Sequence, residues 1–371
     1  MAHPMTTTMH MRSIGLMFAV LFAQHGMAQP PIVVDWIQDG LPAYSTTNGL
    51  HVNPVSHSTL AVMEPSPSVS GCSTNRVAVW FSPSGELSDQ CCDACMEVYG
   101  IAQMFSGAFI TPTGCLIYAT VDVGGSYGST SVAGVYNYGP GWVEPITMYG
   151  GGQGLVGFMS SHALVASSTH VFIGGSTWNI AQDEYACPNN IWKYPYPDAS
   201  NGNAWISCVD TTSAQRVKAL ELWNDTLLAV AFPKVTKIDT LYGTPMGSFN
   251  LFNGAPMDDG HTCIFGDTLF WASQFGGSQL HVGKYLINSG PIWEVTLPFA
   301  GVPAELHHDG MGRLWTAAGN KVIWIDQADG SYQSYPMGLS VVAMAMVGTA
   351  VAICGTTDGA TSYVLHGHVV P

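Results

Sequence analysis

A short apolar strand that follows a tight turn recurs seven times along this chain: Leu60–Met63, Leu116–Thr120, Val171–Gly175, Leu227–Ala231, Leu269–Ser273, Leu314–Ala318 and Val351–Gly355. Six of them follow a turn signal: Thr113-Gly114, Ser168-Thr169, Asn224-Asp225, Gly266-Asp267, Gly310-Met311-Gly312 and Gly348-Thr349. The intervals are 56, 55, 56, 42, 45 and 37 residues. Self-similarity at such periods, built on short strands, implies radial repetition of small antiparallel sheets, a β-propeller.

The phrases around each anchor supply the unit. His261–Phe265, Leu269–Ser273, His281–Ile287 and Ile292–Leu297 alternate with turn residues and read as a four-stranded antiparallel meander. Ala304–His308, Leu314–Ala318, Lys321–Asp326 and Tyr332–Tyr335 repeat it, with Asp329-Gly330 as a turn. The units at Leu116 and Val171 match with longer loops. Their third strands are Ala133–Tyr138 and Ile191–Tyr196, and their fourth strands Trp142–Ile146 and Trp205–Val209. The last unit ends after Val341–Met346, Val351–Cys354 and Ser362–His368, without a fourth strand. An open blade exposes an unpaired edge, so Ile32–Trp36 is expected to complete it. The fold expected is all-β, a single propeller of seven four-stranded blades, with six as the alternative, closed by an N-terminal strand. No Pro/Ser linker or composition break divides residues 29–371, which read as one domain.

The first 28 residues read as something else. Ser13–Ala23 is an apolar run behind Arg12, followed by Gly26-Met27-Ala28, the pattern of a secretory signal peptide cleaved after Ala28. The run is too short for a membrane span, which needs about 20 residues. An exported, periplasmic or extracellular protein is expected, with no transmembrane segment in the mature chain. The formal net charge is −15, with 10 Lys+Arg, which argues against nucleic acid as a partner. Only 9% of residues are charged, yet Trp, Tyr and Phe total 40, enough for a large packed core rather than a disordered chain.

At Asp309–Asp326 the sequence has the form D-x-x-G-x-L-W-x-A followed by V-x-x-x-D. This phrase resembles the repeats of NHL-type and regulator-type propellers and of gluconolactonase-like (SMP-30-type) and streptogramin lyase-like propellers. The segment Gly266–Ser273 is a weaker echo. The resemblance covers about one blade and implies fold rather than chemistry. The leader, low charge and uneven loops also resemble secreted propellers of Bacteroidota.

Three constellations are candidates for chemistry. Cys91, Cys92 and Cys95, with Cys72 and Cys115 on either side, read as a disulfide-stapled loop between the third and fourth strands of the first blade. A metal site stays open, although a second spaced pair is missing. Cys187 and Cys208 are candidates for a second bridge, while Cys263 and Cys354 lie in apolar strands and read as buried thiols. His307 and His308 point to opposite faces if they share a strand, and Asp309 is the expected turn initiator before Gly310. Asp258, Asp259, His261 and Gln274 lie where loops meet one mouth of the channel, with Glu305 and Asp122 at similar places. Oxygen ligands of this kind suit a divalent cation such as calcium, with Asp122, Asp258, Asp259 and Glu305 as contributors; solvated turn carboxylates are the alternative.

The function expected is a non-enzymatic module that binds a protein or carbohydrate through one face. Tyr127, Trp178 and Tyr185 are the aromatic anchors, and Trp178–Asn189 the longest loop between second and third strands. The alternative, which the resemblance permits, is a metal-dependent lactonase-like hydrolase or a lyase at the channel mouth.

Overall fold

The computed structural model describes residues 31–41, 43, 49–63, 77–92, 103–110, 116–122, 133–136, 156–179, 184–195, 204–209, 217–252, 260–275, 279–357, 359 and 361–370. Their regular elements are strands. After β1 (Ile32–Leu41), the strands β2 (Leu50–Val52), β3 (Thr59–Met63), β4 (Val77–Phe81) and β5 (Leu87–Cys92) form one antiparallel blade. Next, β6 (Gln103–Ile110), β7 (Leu116–Asp122) and β8 (Ala133–Tyr136) form a three-stranded sheet. Four-stranded blades follow from β9 (Val156–Ala166), β10 (His170–Asn179), β11 (Glu184–Pro195) and β12 (Trp205–Cys208), and from β13 (Ala219–Trp223), β14 (Thr226–Ala231), β15 (Lys234–Asp239) and β16 (Pro245–Asn250). Two more comprise β17 (Gly260–Phe265), β18 (Thr268–Phe275), β19 (Gln279–Leu286) and β20 (Gly290–Leu297), then β21 (His307–His308), β22 (Arg313–Ala318), β23 (Lys321–Asp326) and β24 (Tyr332–Pro336). Finally β25 (Ser340–Val347), β26 (Ala350–Thr356) and β27 (Ser362–Val369) accept β1 as their fourth strand.

The chain is thus an all-β propeller. Seven four-stranded blades were expected; among the described residues six sheets are four-stranded, the stated alternative. The phrase around Leu116 assembles only three strands among the described residues, and its expected fourth, Trp142–Ile146, lies outside them. The three-stranded sheet stands in the ring between the blades of β2–β5 and β9–β12, and the first strands follow one another around the axis until β25 meets β2. Closure occurs as anticipated: β1 pairs antiparallel with β27, from Ile32 opposite Val369 to Leu41 opposite Ser362.

The second strands carry the core because both their faces meet neighbouring blades. Along β14 five of six residues are buried, and along β22 likewise. Trp271, Trp315, Phe270 and Phe172 fill the wedges between blades and are fully buried. Each such side chain contributes roughly 1.5–3 kcal/mol of hydrophobic stabilisation.

A second device joins the blades near their outer edges. Lys193 on β11 and Trp205 on β12 are cross-strand partners, and both donate to the Thr240 carbonyl in the next blade's β15–β16 turn, Nζ at 2.7 Å and Nε1 at 3.1 Å. Lys284 and Trp293, partners on β19 and β20, repeat this against the Gln327 carbonyl of the β23–β24 turn, at 2.9 and 3.1 Å. In each turn a glycine of positive φ lies against the indole: Gly243 (φ +71°) under Trp205, and Gly330 (φ +78°) under Trp293. Trp36 on β1 does the same with the Pro83 carbonyl, at 3.0 Å, and with Gly85 (φ +85°). Its cross-strand partner is His366, whose ring stacks on it at 5.4 Å.

Only glycine makes both demands cheap. A Cβ at Gly85 or Gly243 would come within 2.7 and 2.6 Å of the ring, and the backbone is in the left-handed region. The blade of β21–β24 faces a neighbour whose third and fourth strands are the two ends of the described chain, so there is no turn to bracket. There, Arg313 Nη1 reaches across to donate to the Val370 carbonyl at 3.1 Å.

Candidate functional site

The residues singled out in the sequence fall in different places. Tyr127, Asp258, Asp259, Cys72, Cys95 and Cys115 lie outside the described residues. Cys91 and Cys92 end β5, opposite Ala78 and Val77. They belong to the fourth strand itself, which corrects their expected place in the loop before it. Trp178 and Tyr185 stand opposite one another on β10 and β11. The expected Trp178–Asn189 loop is therefore mostly strand, because pairing continues past the register shifts beyond Gly175. Cys187 lies opposite Thr177, and Cys208 ends β12 opposite Asn190. Among the described residues the free thiols are Cys263 and Cys354. Burial pushes the Cys354 thiol up to about 12 and the Cys263 thiol up as well, so both are inert at neutral pH.

Asp122 ends β7 opposite Gln103, His261 lies opposite Ala272, and Gln274 opposite Leu280. Glu305 serves the backbone of the neighbouring blade, where its Oε2 accepts from the Met344 N–H at 2.9 Å. His307 binds the carbonyl of the same residue, donating Nε2–H to the Met344 oxygen at 2.9 Å. Burial holds the His307 pKa below its ordinary value, partly opposed by this hydrogen bond. Among the described residues no three His, Cys, Asp or Glu side chains come together to hold a metal ion.

His308 and Asp309 explain the D-x-x-G-x-L-W phrase. The Gly310 N–H donates to His308 Nδ1 at 2.9 Å, so Nε2 carries the proton and donates to Gln327 Oε1, also at 2.9 Å. Asp309 accepts from the Met311 and Arg313 backbone N–H groups through Oδ1, and from Arg313 Nε and Trp315 Nε1 through Oδ2, at 2.7 to 3.1 Å. Burial alone would raise its pKa, but the bonds from Trp315 and Arg313 outweigh burial and hold the carboxyl below the usual range. The phrase is thus a turn locked to its own tryptophan, as the turn reading of Asp309 anticipated.

The junction between the β13–β16 and β17–β20 blades departs from the bracket pattern. Lys237 on β15 makes the usual contact, donating to the Ile287 carbonyl at 2.8 Å and to Asn288 Oδ1 at 3.2 Å. Its cross-strand partner on β16 is Gly247, where the sister junctions have Trp205, Trp293 and Trp36. A Cβ at Gly247, or at the turn glycine Gly290, would meet nothing within 4 Å. An open cavity of about 420 Å³ occupies the place, lined by Lys237, Met246, Gly247, Ser248, Phe249, Tyr285 and the 287–290 turn. Phe249 and Tyr285 stack across the junction at 4.2 Å, and the Lys237 ammonium lies 5.8 Å from the Phe249 ring. Burial raises the Tyr285 pKa, so the phenol stays protonated and able to donate.

The cavity is open, with Lys237, Ser248, Asn288 and Ser289 beside its apolar and aromatic walls. Met246, in its wall, is 52% exposed; Leu241 and Tyr242, 63% and 74% exposed, belong to the turn that Lys193 and Trp205 hold from the β9–β12 blade. On the inner strands of the same two blades, Thr262 Oγ1 donates to Glu221 Oε1 at 2.7 Å, and burial pushes the Glu221 carboxyl up to about 7. The sequence reading missed this junction. Its signal was a fourth-strand position that holds Trp in sister blades and Gly here, visible only once the strands are set in register.

No protein-family model matches the sequence, and no curated protein matches it. Solved structures do resemble the fold. A chain of the Mitotic Checkpoint Complex superposes with a TM-score of 0.61 at 12% identity, over 93% of this chain and 94% of that one. The Pan2 WD40 domain of Neurospora crassa gives 0.58 at 11% identity, over 93% and 98%. BamB from Moraxella catarrhalis gives 0.52 at 12% identity, over 90% and 99%. At these identities the likeness is one of fold: the chain is similar to WD40- and BamB-type propellers.

Proposed function

We propose that this chain is an exported, non-enzymatic binding module that engages a protein partner through the outer face of the β13–β16/β17–β20 junction. The observation that carries the reading is the open cavity at Gly247 and Gly290, with the exposed Met246 and the ring pair Phe249–Tyr285 in its walls. Exposed aromatic and methionine side chains around a concavity are the usual anchors of protein interfaces. One of the similar structures is a chain of an assembly, the Mitotic Checkpoint Complex, which supports the same reading. Export rests on the N-terminal apolar run, and processing after Ala28 would start the mature chain at Gln29.

The test is cross-linking in the source cells with the tagged full chain, against a Met246→Ser/Phe249→Ser variant. The reading expects a protein retained by the native chain and lost from the variant. Equal retention by both would remove this face from the function. A carbohydrate surface at Trp178 and Tyr185 is the second reading, favoured by their opposition across β10 and β11; it expects Trp178→Ala to abolish retention on a glycan array.

A further inference from the structure

We propose that the β13–β16/β17–β20 junction receives the indole ring of a tryptophan carried by the partner polypeptide. This rests on the protein-binding reading above and names the partner's chemistry. The molecule itself shows what fits the place. In two sister junctions one turn carbonyl accepts from both a lysine Nζ and a tryptophan Nε1: Thr240 from Lys193 and Trp205, and Gln327 from Lys284 and Trp293. Ile287 occupies the same position, directly after its third strand and three residues before its turn glycine. Its carbonyl receives Lys237 at 2.8 Å, and a carbonyl oxygen has two lone pairs. The face of Gly290 that an indole would cover is open, as is the place at Gly247 from which the ring would come.

The walls suit the same guest. Phe249 and Tyr285 supply an aromatic surface, and Met246 a thioether at the rim. A phenyl ring would fill part of the space but would leave the second lone pair of Ile287 without a donor. An anionic ligand would address Lys237, whose ammonium already binds the Ile287 carbonyl and Asn288. The indole of a partner tryptophan satisfies both the shape and the acceptor.

The probe is N-acetyl-5-fluorotryptophan amide, titrated with the full chain and followed by fluorine NMR. A ligand of this size is expected to bind saturably with a dissociation constant of about 1 mM or tighter. The 1-methylindole analogue, which lacks the N–H, should bind several-fold more weakly, the usual effect of losing one hydrogen bond. Phe249→Ala/Tyr285→Ala should weaken the parent probe about tenfold or more, as expected when an aromatic wall is lost. Saturation transfer from the probe to the Met246 methyl of the native chain, its signal assigned by its loss in Met246→Leu, locates the site. Absence of saturable binding, equal binding of the methylated analogue, or transfer confined to other methionines would each overturn the proposal. If a partner is retained in cells but the probe does not bind, the indole assignment alone fails. If the probe binds at Met246 and no partner is retained, the protein-module reading alone fails.

Discussion

The inter-blade bracket predicts an unusual pattern of glycine substitutions. Gly243 and Gly290 are equivalent turn glycines, at φ +71° and +109°. Backbone geometry alone makes Gly290→Ala the worse change, because +71° lies close to the left-handed helical region that L residues tolerate at about 1–2 kcal/mol. Contacts reverse the order. An alanine Cβ at 243 would stand 2.6 Å from Trp205 Cδ2 and 2.7 Å from Cε3, while one at 290 would meet nothing. Trp205 cannot withdraw freely, since its Nε1 is bound to the Thr240 carbonyl at 3.1 Å. Overpacking costs about 1–3 kcal/mol, and breaking the bond would add roughly 1 kcal/mol. Strain, contact and lost bond together put Gly243→Ala at about 3–6 kcal/mol, against roughly 2–3 kcal/mol of backbone strain alone for Gly290→Ala. Urea unfolding of both variants, and of Gly243→Ala in a Trp205→Ala background, gives the coupling directly. The reasoning predicts that removing the indole recovers most of the contact cost, about 1–3 kcal/mol. A Gly243→Ala penalty that is the same with and without Trp205 would refute it.

Other consequences are equally measurable. Glu221 has its carboxyl raised from 4.5 to about 7 by burial, so the folded state holds this proton more tightly than the unfolded chain. The penalty for ionising it is absent below the unfolded value, grows as pH rises through the folded value, and reaches about 3 kcal/mol above it. Glu221→Gln should accordingly stabilise the protein at pH 8 and change little at pH 4; a stability difference independent of pH would contradict this. Asp309→Asn removes the carboxylate that binds Arg313 and Trp315 and should cost about 3–5 kcal/mol in chemical unfolding, the usual effect of breaking a buried pair. Asp329→Asn, at an exposed turn, should leave the unfolding midpoint close to that of the native protein. In a thermal-shift screen the binding-module reading expects calcium, magnesium, manganese and zinc to leave the melting temperature unchanged; a saturating rise would favour the metal-dependent alternative.

Much of the fold was legible because its signals are local. Asn224-Asp225, Gly266-Asp267 and Gly310-Met311-Gly312 mark the hairpins, and the apolar runs after them are the buried second strands. Even the closure could be read, since a last blade without its fourth strand requires one from elsewhere and β1 supplies it. The site was less legible because its determinants are relational. Gly247 is an ordinary strand glycine until it is set opposite Lys237 and beside Ile287, residues ten and forty positions away. Charged residues drew attention instead, and Glu305 and His307 turn out to hold the backbone of Met344. Asp309 likewise serves its own turn and Trp315 rather than a ligand.

The central claim is that one junction of this propeller is left open for a partner's aromatic side chain. Photo-cross-linking with a diazirine-bearing tryptophan amide, followed by peptide mapping, tests it most directly. The account predicts labels concentrated on β16 around Met246–Phe249 and on the segment from Tyr285 to Gly290. Labels spread evenly over the turns at Gly85, Gly243, Gly290 and Gly330, or concentrated away from Gly290, would contradict it.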